Sequence, residues 1–233
     1  MTPTPLTAAL GALLAAALLG PAFDGRSVAV VVAAALLPTL DAVASLAIPG
    51  ATNALAHNVW IPLALAGLLY WDTALRERSA LRERYGWRGV RVGWVALAGF
   101  AVAGVAPDLF AEPGVSLLYP VENVYYVVDG LLLFSTQDGV VQTFVSTTAD
   151  GPGLLPFEST GTTETRAVST WVNPDGRPGL ALGSEREFVV VDAGWQAVVL
   201  ASAVASLAVR FRPWTRAGTE TGPSADEAGE ASR

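Results

Sequence analysis

The chain has 233 residues, 14 of them basic and 21 acidic, a net charge of −7 and no cysteine. Its mean hydropathy of +0.45 and long apolar runs place it in the membrane class. The missing cysteine excludes disulfides and thiolate metal sites, and the only basic cluster is a short loop between two apolar segments, which argues against a nucleic-acid partner. Every basic residue is arginine, and this lysine-free, acidic, Ala/Val/Gly-rich usage is a halophile-like composition.

Residues 6–23 are uncharged and, at ~1.5 Å per residue, just long enough to span a bilayer. They read as a span rather than a cleaved signal because no basic segment precedes them. A second span covers 27–48, interrupted by Pro38 and Asp41. A third covers 57–75, a fourth 92–110 and a fifth 194–211. Between the third and fourth lies a loop, 76–91, with Arg76, Arg78, Arg82, Arg84, Arg88 and Arg91 against only Glu77 and Glu83. Short arginine-rich loops stay cytoplasmic. Arg210, Arg212 and Arg216 after the fifth span put the C-terminus on the same side, and Arg26 agrees. The parity predicts a multi-pass cell-membrane protein with its N-terminus outside and its C-terminus cytoplasmic.

By that parity the region 111–193 is extracytoplasmic; it carries eleven acids between Glu112 and Asp192 and three arginines. Runs of β-branched and aromatic residues at 121–128, 131–134, 140–147, 167–172 and 187–191 predict about five strands in a small antiparallel sheet. Turn signals separate them: Asp129-Gly130, Asp138-Gly139, Asp150-Gly151 and Asn173-Pro174-Asp175-Gly176. Asp129-Gly130 predicts a tight hairpin pairing 124–128 with 131–134. Residues 151–165 read as a loop, and the tail 213–233 as disordered. The expected architecture is a membrane α-helical bundle of about five transmembrane helices, four of them within 1–110 and the last at 194–212, with a small antiparallel β domain outside.

Three ionisable residues, Asp41, His57 and Asp108, fall at ends of three different spans, and the topology puts all three ends on the outer side. Asp41 lies about 21 Å and Asp108 about 24 Å along spans that run outward, and His57 starts one that runs inward. An ionisable group inside a spanning segment needs a partner, water or a metal, so this convergence predicts a cluster within roughly 8 Å. His57 is the only histidine in the chain. Carboxylates and imidazole are ligands for a divalent metal of unstated identity, and a neutral imidazole beside carboxylates suits a general base. The alternative is helix-end residues facing headgroup water. Asp72, four residues before Arg76, reads as an i,i+4 pair at the membrane edge, and Trp60, Trp71, Trp87, Trp94 and Trp195 as an interfacial aromatic belt.

These motifs resemble a known family, the predicted membrane-bound metal-dependent hydrolases that include the LexA-regulated inner-membrane protein. Leu36-Leu37-Pro38-Thr39-Leu40-Asp41 is similar to that family's Leu-Leu-Pro-Asp-x-Asp-His stretch, and Ala56-His57-Asn58 to its Thr-His-Ser. Asp108-Leu109-Phe110 followed by Gly114-Val115-Ser116-Leu117-Leu118-Tyr119-Pro120 is similar to its third motif, and the resemblance covers roughly residues 28–135. Thr39, Ala42, Thr52 and Gly104 stand where the family has further Asp or His residues, so Asp41, His57 and Asp108 are what remains of its ligands. The resemblance implies a metal held by Asp41, His57 and Asp108, with these residues activating water against an ester or phosphoester. The rival expectation is a non-catalytic membrane scaffold with a degenerate site, its protein partner unspecified. A transporter is disfavoured, because no span carries paired mid-depth charges and no inverted repeat is visible.

Overall fold

The computed structural model describes residues 1–137, 139–145 and 153–212. Helix α1 (Thr4–Leu18) turns through a short 3-10 segment, Gly20–Ala22, into α2 (Gly25–Leu36). Asp24 caps α2, its Oδ1 accepting the Ser27 amide at 2.7 Å. Pro38 cannot donate to a helical ladder, and the chain tightens there into a 3-10 turn, Leu37–Leu40, before one last turn, α3 (Asp41–Ala44). Helix α4 (Trp60–Tyr70) ends in a π-helical stretch, Trp71–Leu75. Helix α5 (Ala80–Ala98) breaks its regular geometry at Gly86 and continues as a π stretch, Gly99–Val105, and a 3-10 turn, Ala106–Phe110. Helix α6 (Gly194–Phe211) closes the described chain.

Among the described residues three helices are long and apolar enough to cross a membrane: Gly25–Ala44, Ala80–Phe110 and Gly194–Phe211. Thr4–Leu18 and Trp60–Leu75 are apolar but shorter. Helix α1 packs on α2 and α6, and α2 packs on α5 and its π extension. Ala15, Leu19, Val28, Val31 and Val95 form the core where these helices meet. A second cluster, Phe100, Val105 and Val115, joins the end of the α5 extension to the segment that follows.

Four helix boundaries depart from the sequence expectation, the first being that of the 6–23 span, whose helix ends at Leu18. The second span keeps regular helix only to Ala44 rather than to residue 48, and continues as turns, with Ile48 N–H still bonding Ala44 C=O at 2.9 Å. The third helix begins at Trp60, which leaves His57 in irregular chain. Most of the expected loop 76–91 is helical, since α5 starts at Ala80. Ser79 Oγ accepts the Arg82 amide at 3.1 Å. Asp72 takes the amides of Ala80 and Leu81 at 3.0 and 3.1 Å, besides pairing with Arg76 at 3.2 Å as expected. One carboxylate thus caps a helix start and holds an i,i+4 cation.

The β structure is antiparallel, as expected, but differently paired. Strand β1 (Tyr125–Val127) pairs with β4 (Glu158–Gly161), and β2 (Leu132–Ser135) pairs with β3 (Gly139–Gln142). Asp129-Gly130 therefore does not close a hairpin; it separates strands of two different sheets. Leu131 and Thr143 extend the β2–β3 ladder, with Thr143 N–H to Leu131 C=O at 3.0 Å. The far edge of β1 is taken by Val115, whose amide and carbonyl bond Tyr126 at 3.0 and 2.9 Å. Strand β4 lies in the stretch expected to be a loop, while 167–172 and 187–191 are not strands. The Asn173–Gly176 turn forms, with Gly176 N–H to Asn173 C=O at 3.2 Å. Asp138, the Asp150-Gly151 turn and the tail 213–233 lie outside the described residues.

Candidate functional site

Asp41 opens α3, and Asp108 lies in the 3-10 turn that ends the α5 extension. These two elements approach closely because Gly104 faces the end of α2. A Cβ at residue 104 would sit 2.5 Å from the Ala35 carbonyl oxygen and 2.9 Å from Pro38 Cγ. The missing side chain at 104 is thus a packing requirement for bringing Asp41 and Asp108 to one place.

His57 enters between them from the irregular segment that leads into α4. Its Nδ1 lies 2.9 Å from Asp41 Oδ2, and its Nε2 lies 3.1 Å from Asp108 Oδ2. The expected clustering is therefore met at hydrogen-bond distance. The ring is 0% exposed, Asp41 1% and Asp108 2%. Asp41 Oδ1 also accepts the Ala56 amide at 2.8 Å, so one carboxylate grips both the ring and the backbone beside it. Asp108 Oδ1 accepts the Thr2 amide. Burial works against a charged ring here, but the hydrogen bonds and charges of Asp108 and Asp41 outweigh it, and the His57 pKa is pushed up to about 9. At neutral pH the ring is an imidazolium that donates from both nitrogens.

The segment carrying His57 is fastened on its other side by polar groups to which sequence reasoning assigned no role at the site. Asn53, with φ of 55°, donates from Nδ2 to Gly114 C=O at 3.0 Å, and its own carbonyl accepts the Ser116 amide at 2.9 Å. Tyr125 Oη donates to Thr52 C=O at 2.7 Å; burial, followed by the charge of Asp41, pushes its pKa up. Asn58 Oδ1 accepts the Ile61 amide at 3.1 Å and starts α4. Asn173 Nδ2 donates to Ser45 Oγ at 2.9 Å just beyond α3. Asn53 and Asn58 are detectable as polar residues in an apolar stretch; Tyr125 and Asn173 carry no such signal.

The arrangement limits what the trio can do. The carboxylates bind opposite nitrogens of one ring, so the three side chains do not converge on a common point where a metal ion would take a ligand from each. Among the described residues no group of three His, Asp or Glu side chains is placed to hold a metal. In this arrangement the residues do not fit the ion that the family resemblance implies. Nor does the ring keep a free nitrogen with which to take a proton from substrate or water. A cavity of about 750 Å³ reaches Thr2 and Pro107, next to Asp108, but none of the three side chains lines it. Compared with known proteins, the chain matches no family model, no curated protein and no solved structure.

Proposed function

We propose that this protein is a non-catalytic membrane scaffold, and that Asp41, His57 and Asp108 are a buried clamp holding the region 111–193, which carries the β structure, on its helices. The observation that carries this reading is that both nitrogens of the sole imidazole are engaged by carboxylates in a ring with no exposed surface. Catalysis by metal-activated water needs an open coordination position, and general-base catalysis needs an open nitrogen. The clamp offers neither. Asp41 and Asp108 lie in the last turns of two long helical elements, and His57 belongs to the segment bonded to 114–116, so the clamp ties the bundle to the region that follows it.

In this reading the bundle crosses the membrane five times, with the shorter helices Thr4–Leu18 and Trp60–Leu75 completing the set. The N-terminus and residues 111–193 are outside; the arginines of 76–91 and the C-terminus are cytoplasmic. The cysteine-free chain makes the topology easy to read. A single cysteine at the well-exposed Leu182 should react with an impermeant reagent in intact cells, whereas one at Glu83 should react only after lysis. The reverse pattern overturns the orientation.

The functional reading is tested by metal analysis of the full chain purified in detergent, before and after exposure to zinc or manganese. A scaffold should hold no stoichiometric divalent ion. About one ion per chain, lost in His57→Ala, would overturn the scaffold and restore metal-dependent ester or phosphoester hydrolysis by Asp41, His57 and Asp108.

A further inference from the structure

At the opposite end of α5 from the clamp, a groove of about 660 Å³ runs between the end of α1 and one face of α5. Trp87, Arg91, Trp94 and Ala98 line it at spacings of four, three and four, so they share a helical face. Leu18 forms the facing wall and Arg88 stands beside Trp87. From Arg88 to Ala98 the groove extends about 15 Å along the helix. Its polar groups are gathered at one end and the rest is apolar, the division of a molecule with a charged head and a hydrocarbon tail.

The charge at the mouth is arranged rather than incidental. Arg91 Nε donates to the Leu18 carbonyl at 2.9 Å, which fixes the guanidinium. It lies against Gly20 (φ +52°), where a Cβ would come within 3.0 Å of its Nη2. Arg82 stacks over Trp87 with its guanidinium carbon 3.9 Å from the ring centroid. Of the two arginines that line the groove, Arg88 pairs with Asp24, while Arg91 has no carboxylate partner among the described residues, nor has Arg82 on Trp87, although the chain as a whole carries −7. A local excess of arginine on an acidic protein, at the end of an apolar helix and mixed with tryptophan, matches an anionic membrane interface.

We propose that this groove is a binding site for one anionic phospholipid, with the phosphate at Arg91 and its arginine neighbours and an acyl chain laid along Trp94 and Ala98 against Leu18. A neutral phospholipid would fill the same apolar wall without the charge complement. Free phosphate would meet the arginines without the wall.

The test is native mass spectrometry of the full chain released from a neutral detergent with added phosphatidylglycerol, phosphatidylcholine of the same acyl chains, or inorganic phosphate. A basic residue near an anionic headgroup contributes roughly fivefold in affinity. Phosphatidylglycerol should therefore be retained at least about fivefold more than phosphatidylcholine. Arg91→Gln should lower that preference about fivefold. Leu18→Trp, which fills the wall and leaves every charge in place, should reduce retention of both lipids. Equal retention of the two lipids by the unaltered chain overturns the proposal, as does displacement of phosphatidylglycerol by inorganic phosphate. If Arg91→Gln fails to fold, Leu18→Trp decides, and unchanged lipid retention in that variant also overturns it.

Discussion

The two long helical elements of this protein, α2 with its continuation and α5 with its continuation, are tied to each other at both ends by charged groups. At one end Asp24 meets Arg88 with side chains 41% and 52% exposed. At the other, Asp41 and Asp108 are bridged by His57 with essentially no exposure. The chemistry is similar and the consequences are not. An exposed pair trades contacts with water for contacts with each other and gains little, whereas a buried set holds its charges at a cost that only complete pairing offsets. The open end has spare arginines and a groove; the closed end has every nitrogen used. The proposed ligand site accordingly lies at the arginine end, and the proposed clamp at the closed one.

The largest effect should come from removing the shared partner. His57→Ala leaves two buried carboxylates facing a void, and loss of one member of a buried charged set costs about 3–5 kcal/mol. The melting midpoint in detergent should fall steeply or the protein should fail to accumulate. Combining Asp41→Asn, His57→Gln and Asp108→Asn removes the three side-chain charges, leaving the Met1 ammonium that stands 4.0 Å from Asp108 Oδ1, and its midpoint should lie above that of His57→Ala. If the single variant melts like the unaltered chain, the two ends do not differ as argued.

Alkali should reproduce part of that loss. The His57 pKa is raised above its unfolded value of 6.5 to about 9. A raised value means the folded state holds the proton more tightly, so this contribution is fully present below pH 6.5 and lost as pH rises through about 9. The contribution is on the order of 3 kcal/mol. Denaturation midpoints measured from pH 6 to pH 10 should fall over that window, and the fall should be much smaller in the triple variant, which keeps only the Met1 ammonium at this place. Stability that rises across the window would refute the imidazolium.

Gly104→Ala sharpens the comparison from the packing side. The new methyl would press on Ala35 and Pro38, and overpacking of this kind costs about 1–3 kcal/mol. It should also weaken the alkaline transition, because the elements carrying Asp41 and Asp108 are forced apart. The smallest effect should be at the open end. The Ser27 amide first, and then its hydroxyl and Arg88, hold the Asp24 pKa down to about 2. Asp24→Asn keeps the helix cap and removes the ion pair, and the midpoint should not move measurably or respond to salt. A large drop in that variant would mean that both ends contribute strongly to stability.

How the chain can be read follows from the range of each interaction. Helical segments are legible because apolar runs of this length have one economical state in hydrocarbon, and Pro38 marks the break before Asp41. The trio is legible because an ionisable residue at depth requires a partner, whichever residue supplies it. The hydropathy pattern starts a helix at His57, yet His57 precedes α4, since Asn58 rather than His57 supplies the side chain that starts the helix. The hairpin expected at Asp129-Gly130 fails for a different reason. A turn-forming dipeptide says only that the chain can reverse there. Which strand β1 pairs with depends on Val115 and on residues 158–161, neither of them its immediate neighbour along the chain.

The sequence by itself determined a membrane-class helical protein, the absence of thiol chemistry, a basic and aromatic collar at one helix end and three polar residues at others. These follow from composition and from local hydropathy, which each residue carries wherever it is placed. Only the tertiary structure decided that the two carboxylates take opposite nitrogens of one ring, that Gly104 makes room for them, and that β1 lies between Val115 and β4. Those are matters of direction and distance between residues far apart in the chain, and the shape of the packed elements sets them. The same trio converging on one open point would suit a metal; here the imidazole lies between the carboxylates and the three side chains share no such point.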